Sequence, residues 1–404
     1  MTAAPVADTR VPVLDAAAAR RTAATLAEAF GVEAAERDSH RLLPLAEVDQ
    51  LARSGLLAIT VPRALGGPGL RAGDVAEVFR LLSTTDPSIA QIPHSHFVYV
   101  NAVLHQGTDD QQRFFLGEVL AGRRFGNAQS ELRTKDARTW GTTLTPDGQA
   151  GGGWLLNGAK AYSTGALLAD WIPVLAHLEE DGPMHVAWVE RHADGVSVVD
   201  DWDGMGQRTT ASGSVRLEDV AVAPDRVMPF HLTFTGPQTY GSFAQLLHAA
   251  IDAGIARGAL TEAAAFVRTH SRPYPDAKVE TAGEDPLTVH AFGQLELAVR
   301  GCEALLREAG AAVEAADADL TEATAAEASL AVAAARASTT EASLAVGSRL
   351  FEVAGTRSAL DGLNLHRHWR NARTHTLHDP ASWKVQHLGQ WALHGTVPPR
   401  HGQI

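Results

Sequence analysis

The hydrophobic period changes twice along this chain, and any fold it adopts must accommodate both changes. Residues 1–120 are rich in Ala, Leu, Glu and Arg and are interrupted at Gly55, Gly66-Gly67-Pro68-Gly69 and Asp86-Pro87. That pattern predicts helices with breaks at the Gly and Pro positions. In residues 121–230 the pattern shortens. Gly148, Gly151-Gly152-Gly153, Asn157-Gly158 and Asp194-Gly195 separate short runs such as Trp154-Leu155-Leu156, Trp171-Ile172-Pro173-Val174-Leu175-Ala176 and Val186-Ala187-Trp188-Val189. Strand-length apolar runs between turn residues predict a small β-barrel or sandwich. Residues 231–404 return to helix. Leu295, Val299, Cys302, Leu306, Ala309 and Val313 alternate steps of four and three, the stripe of a core-facing helix. The Ala-rich run from Ala309 to Ala345 favours helix strongly and offers small side chains for close helix–helix approach. The expectation is an α+β protein with a helical domain over 1–120, a β-domain over 121–230 and a helical bundle over 231–404.

A net charge of −13, without an acidic tail, argues against nucleic acid or an anionic membrane as partner. No apolar run approaches the roughly 20 residues of a membrane span. Met1 to Phe30 lack a basic segment followed by a continuous apolar one, so no signal peptide is expected. Cys302 is the only cysteine, which leaves no internal disulfide and makes the cytoplasm the expected compartment.

Chemistry concentrates near the C-terminus, in Arg370-Asn371-Ala372-Arg373-Thr374-His375-Thr376-Leu377-His378-Asp379-Pro380. On a helix His375 and His378 share one face, and Pro380 ends or bends that helix. A histidine beside a carboxylate that orients it is equipment for acid–base chemistry near neutral pH. The same residues also suit a capped helix end with solvated histidines.

Several segments carry a family resemblance. Gly55-Leu56-Leu57-Ala58-Ile59-Thr60-Val61-Pro62 followed by Gly66-Gly67-Pro68-Gly69, the stretch from Leu155, Asn157-Gly158 and Lys160 to Ser163-Thr164-Gly165, and the turn at Gly355 resemble the acyl-CoA dehydrogenase superfamily. The resemblance spans about residues 20 to 395. It implies an N-terminal helical domain, a central β-domain and a C-terminal four-helix bundle, assembled as a homotetramer around a flavin.

The dehydrogenases of that superfamily use a glutamate base. Matching Arg370-Asn371-Ala372-Arg373 to the run before that base puts Asp379, one methylene shorter, in the glutamate's place. A base must reach the proton it abstracts, so that retreat disfavours dehydrogenation. The segment Arg373 to Pro380 with Trp383-Lys384 is instead similar to the flavin-dependent two-component monooxygenase branch, whose members oxygenate dibenzothiophene, sulfones and alkanesulfinates. Gly126-Asn127-Ala128-Gln129-Ser130-Glu131, the run Trp202 to Gly213, and His270-Ser271-Arg272-Pro273 resemble that branch in the same order. The resemblance implies transfer of one oxygen atom from O2, through a flavin C4a-hydroperoxide, to sulfur or nitrogen of a small substrate. It implies Asn127, Ser130, Ser163 and Ser212 at the flavin's polar edge, Trp202 against the ring, and Arg272 and Arg357 on the phosphate. His378, oriented by Asp379, and His375 would manage protons. His96 matches a pocket histidine.

Each role has a plainer alternative. Ser163 and Ser212 also suit turn backbones, Trp202 a core position, Arg272 the surface beside Pro273, and His96 a satisfied buried site. His94-Ser95-His96 and His366-Arg367-His368 lack the Cys or carboxylate spacing of a zinc site, so no metal is expected. Gly204-Met205-Gly206 lacks the third glycine and the helix of a dinucleotide fingerprint. Reduced FMN from a separate NAD(P)H:flavin reductase is therefore the expected cofactor supply. FAD is the alternative cofactor, in an acyl-CoA dehydrogenase-like enzyme oxidising a thioester; a non-catalytic relative of the fold is a further alternative.

Overall fold

The computed structural model describes residues 10–132, 141–148 and 152–404. The amino-terminal stretch before Arg10 and the turn residue Gly151, both read above, lie outside them. The chain opens with helices α1 (Ala16–Gly31), α2 (Ala34–His40), α3 (Leu45–Arg53), α4 (Ala72–Ser83), α5 (Pro87–Gln91), α6 (His94–Gln106) and α7 (Asp109–Leu120). Strands β1 (Thr143–Pro146), β2 (Trp154–Lys160), β3 (Trp171–Leu178), β4 (Met184–Glu190), β5 (Val196–Val199), β6 (Ser214–Val222) and β7 (Val227–Met228) follow. Helices α8 (Tyr240–His270), α9 (Pro286–Ala318), α10 (Glu322–Ala354), α11 (Arg367–His375) and α12 (Ala381–His394) complete the molecule. Among the described residues no helix is long and apolar enough to cross a membrane.

Local sequence explains where these elements begin. Asp15 accepts a hydrogen bond from Ala18 N at 2.7 Å and caps α1. Asp86 accepts from Ser88 and Ile89 N, both at 3.1 Å, and Pro87 occupies the first turn of α5. Asp285 does the same for α9, again with a proline behind it. The stripe read in α9 is buried along its length, from Leu295 to Val313. It joins α1, α4, α8 and α10 in one apolar core.

The central strands form one mixed sheet in the order β5-β6-β2-β1-β3-β4-β7, in which only β1 and β3 run parallel. Strands β4 and β6 touch although β2, β1 and β3 separate them in that order, so the sheet rolls on itself. Its inner face, with Leu144, Leu156, Ile172, Val174, Val215 and Leu217, is a second core.

Close approach between helices α4 and α8 sets the geometry of the first helical layer against the bundle. A Cβ on Gly254 would meet Arg80 O at 2.4 Å, and one on Gly258 would meet Thr84 O at 2.0 Å. Only glycine permits this contact, which brings the chain just after α4 alongside the middle of α8. A second such contact joins sheet domain to bundle. A Cβ on Gly206 would lie 2.0 Å from Arg370 O, so the segment after β5 rests directly on α11.

Candidate active site

Four parts of the chain bring one polar cluster together inside the bundle. Helix α8 presents His248 and Asp252, four residues apart and therefore on one face. Helix α5 ends at Gln91, α10 supplies Arg336, and α11 ends at His375. His375 is fully buried; its Nδ1 lies 2.6 Å from Asp252 Oδ1. A carboxylate can only accept, so the Nδ1 proton is fixed by Asp252. His375 Nε2 lies 3.1 Å from both His248 Nδ1 and Gln91 Oε1. The other end of the Gln91 amide lies 3.3 Å from His378 Nε2, so this one side chain bridges both histidines. His94 stacks on His248 with ring centroids 3.9 Å apart and bonds Ala244 O at 2.9 Å.

Helix α11 stops at His375, five residues before Pro380, because the chain turns through Thr376. His378 therefore sits in the turn rather than on the helix. It still faces His375, with ring centroids 4.9 Å apart and its Nδ1 2.7 Å from His375 O. His378 is exposed on its outer side, while protein crowds the ring from within. That crowding first, and then the charges of His375 and Arg336, push its pKa down. Burial pushes the Asp252 carboxyl up, but the charges of His375 and Arg336 outweigh it and the net shift is downward.

Asp379 does not orient His378. Its Oδ1 lies 3.4 Å from Arg336 Nη2, and its Oδ2 lies 2.6 Å from Lys384 Nζ, an ion pair angled away from hydrogen-bond geometry. Adjacent residues in a turn point apart, and the orienting carboxylate comes instead from Asp252, far away in sequence. Arg336 holds both acids, bonding Asp252 through Nη1. His96 is likewise outside the cluster. Its Nε2 meets Leu57 O at 2.9 Å and its Nδ1 accepts from Phe125 N at 3.1 Å, a fully satisfied buried histidine. His94, two residues earlier on α6, is the one beside the site.

The flavin candidates fall into two groups. Asn127, Ser163, Ser212 and Trp202 lie along one polar network. Asn127 Nδ2 donates to Tyr162 O at 3.2 Å, and Ser163 N donates to Gly213 O at 2.9 Å. Ser212 Oγ bonds Thr164 and Thr210 hydroxyls, each at 2.7 Å, and Thr210 Oγ1 donates to Gln207 O at 2.9 Å. Trp202 Nε1 donates to Gln207 O at 2.8 Å, and its ring meets Tyr162 edge-on. The network ends on α11, where Gln207 N donates to Asn371 Oδ1 at 2.7 Å, one turn before His375. Ser130 is half-buried on the same side, its carbonyl accepting from Ala161 N at 2.9 Å. Among the described residues Asn127 Oδ1 and Ser163 Oγ are buried without a hydrogen-bond partner. Unpaired buried oxygens are costly, so these residues fit a polar-edged ligand such as a flavin ring.

Arg272 and Arg357 form the second group, at the far end of α8. Arg357 Nη1 donates to His270 O at 3.2 Å, and Arg272 is exposed. From His248 to His270 the helix rises about 33 Å, too far for one flavin mononucleotide to join these arginines to the cluster in the same chain. A cavity of about 550 Å³ bordered by Asp49, Arg124, Asp170 and Trp171 lies elsewhere; Arg124 and Asp49 pair with each other there at 2.6 Å.

The sequence reading missed His248, Asp252, Gln91 and Arg336. The one visible signal was His248 with Asp252 at helical spacing in an otherwise small and apolar stretch of α8.

Similarity to known proteins agrees with this geometry. Residues 15–123, 131–220 and 246–383 match the N-terminal, middle and C-terminal domains of the acyl-CoA dehydrogenase family. The chain is 33% identical to a dibenzothiophene monooxygenase of Rhodococcus qingshengii over 92% of each chain. It is 32% identical to a probable FMNH2-dependent monooxygenase, SfnC, of Pseudomonas putida, over 92% of this chain and 94% of that one. Among solved structures, FMN-bound TdsC from Paenibacillus sp. A11-2 superposes with a TM-score of 0.90 at 32% identity, covering 96% of this chain and 100% of that one.

The buried histidines make folding pH-dependent. Burial lowers His94 and His96 from 6.5 to about 4 each. Between those values the unfolded chain binds protons that the folded chain refuses, so stability is whole above pH 6.5 and is lost as pH falls toward 4. Each histidine contributes a slope of about 1.4 kcal/mol per pH unit. The denaturant midpoint should drop steeply through that window, and His96→Asn should flatten the slope by one histidine's share. A midpoint independent of pH between 6.5 and 4.5 would contradict the burial argument.

Proposed function

The chain belongs to the acyl-CoA dehydrogenase family, and from that premise we propose that it is an FMN-dependent monooxygenase that oxygenates sulfur in a small organic substrate. The observation that supports this reading is the Asp252–His375–Gln91–His378 cluster, built of histidines with its one carboxylate bound to Arg336 and His375 rather than free to act as a base. Asp379, which the sequence resemblance matches to the dehydrogenases' glutamate, is tied to Arg336 and Lys384 and offers no free base. Sulfur is favoured over nitrogen by the relatives' names.

Reduced FMN, when bound, supplies the two electrons with which one oxygen atom of O2 passes to the substrate and the other leaves as water. The chain's own groups bind and position. Asn127 Oδ1 and Ser163 Oγ receive the ring's polar edge, with Ser130 and the Ser212 hydroxyl cluster behind them. Trp202 walls the ring side. His378, kept neutral by its lowered pKa, offers Nε2 as a hydrogen-bond partner at the open side of the cluster. Gln91 and His375 connect that nitrogen to Asp252 by hydrogen bonds, which fix the orientation of His378 without passing a proton through the amide.

The nicotinamide-dependent step belongs to a partner reductase, for which the cytoplasm is the expected setting. A homotetramer completes the assembly. Helix α12 buries only Lys384 within the chain and leaves Trp383, Val385, Trp391 and Leu393 exposed around its circumference, apolar surface that neighbouring copies would cover. In such an assembly Arg272 and Arg357 serve the phosphate of a neighbouring copy's flavin. Sedimentation should find a tetramer at micromolar concentration; a monomer would defeat the assembly.

His378→Ala should leave the fold and FMN binding intact and lower oxygenation by about 10²–10⁴-fold. Hydrogen peroxide release should rise as product falls. Single-turnover mixing of reduced FMN, O2 and an aryl thioether measures both, and product and peroxide equal to wild type would remove His378 from the mechanism.

A further inference from the structure

Gln207 is 2% exposed, and both its Oε1 and its Nε2 lack a hydrogen-bond partner among the described residues. Among the described residues no other buried side-chain amide is left with both ends unpaired. An apolar residue would avoid that penalty, since a buried amide without partners costs on the order of 1–3 kcal/mol. The backbone around it is also held under constraint. Gln207 has φ 51° and Ala211 φ 50°, left-handed values that non-glycine residues rarely adopt.

Every backbone group of Gln207 is used to fix it. Its N–H donates to Asn371 Oδ1 at 2.7 Å, and its carbonyl accepts from Trp202 Nε1 at 2.8 Å and Thr210 Oγ1 at 2.9 Å. Gly206 packs against Arg370 O on α11, and Arg370 Nη1 donates to Met205 O at 2.7 Å. The fold thus locks a strained residue in place and leaves its amide idle.

The backbone of Gln207 lies on the network that also reaches Ser212, beside Ser163 and Asn127, whose Oγ and Oδ1 are unpaired among the described residues. A carboxamide offers one acceptor and a donor side by side. That pair complements an imide edge, where an N–H stands beside a carbonyl. We propose that Gln207 binds the flavin, its Oε1 accepting from the ring imide N–H and its Nε2 donating to an adjoining carbonyl. The proposal rests on the reading of this pocket as an FMN site and adds a residue that reading does not contain. Gln207 is then a cofactor-holding residue, and Asn371 is a positioning residue that fixes it relative to His375.

Titration of FMN into the full-length chain, followed by flavin fluorescence, tests this with Gln207→Met and Gln207→Glu. Each variant's ligand-free melting temperature is measured alongside. Gln207→Met should weaken FMN binding by about tenfold or more, the worth of two hydrogen bonds, while the ligand-free chain melts no lower than wild type. Gln207→Glu keeps the acceptor but turns a second acceptor toward the ring carbonyl, so it should bind FMN at least as weakly as Gln207→Met. Affinity within about twofold of wild type in Gln207→Met overturns the proposal whatever the melting temperature does. A lower melting temperature with unchanged affinity would make the amide structural. Failure of the wild type itself to bind FMN would instead sink the flavin reading and leave Gln207 without its ligand.

Discussion

The buried carboxylate of Asp252 holds the site together. It lies with no exposed surface between the Arg336 guanidinium and the His375 ring, and so ties α8, α10 and α11 at one point. Taking one partner away from such a group leaves an uncompensated buried charge, at a cost of about 3–5 kcal/mol. Arg336 reaches on to Asp379, which reaches Lys384 at the start of α12. One alternating chain of acids and bases therefore fixes the turn on which His378 sits. The position of His378 follows from charges to which it is not itself bonded.

That arrangement depends on close backbone contacts elsewhere. Gly254 and Gly258 let α4 lie against α8, in an arrangement where His94 stacks on His248 and Gln91 meets His375 and His378. Gly206 lets the segment after β5 lie against α11, which puts the Trp202–Gln207–Ser212 network one helical turn from His375. Side chains on the sheet domain and histidines on the bundle thus keep a fixed separation. Chemistry between a held cofactor and a proton-handling group requires this kind of fixed geometry.

Much of the architecture was legible because period and turn chemistry are local. The α9 stripe from Leu295 to Val313 is buried as its spacing predicts, and the strands appear where short apolar runs sit between glycines. His375 and His378 were legible as a pair. The partners were not. Asp252 contacts His375 across 123 residues, and Gln91 does so across 284, separations at which a single sequence carries no pairing signal. Asp379 misled because neighbours in sequence need not be neighbours in space. His94 and His96 show the converse on α6. Two positions apart on a helix, they point to different sides, one to Ala244 on α8 and the other to Leu57 and Phe125. Arg272 and Arg357, expected on a flavin phosphate, lie beyond the end of α8, about 33 Å of helix from the cluster within one chain, a separation that local sequence patterns do not report.

The most direct test replaces Asp252 by Asn, which keeps the side chain's shape and removes the charge that fixes the His375 proton. Mixing reduced FMN-loaded protein with O2 and an aryl thioether in a single turnover gives the ratio of oxygenated product to hydrogen peroxide. The account predicts that Asp252→Asn still binds FMN but that this ratio falls by about tenfold or more. A variant that binds FMN and keeps the wild-type ratio would show that the buried Asp252–His375 pair does not serve oxygen transfer.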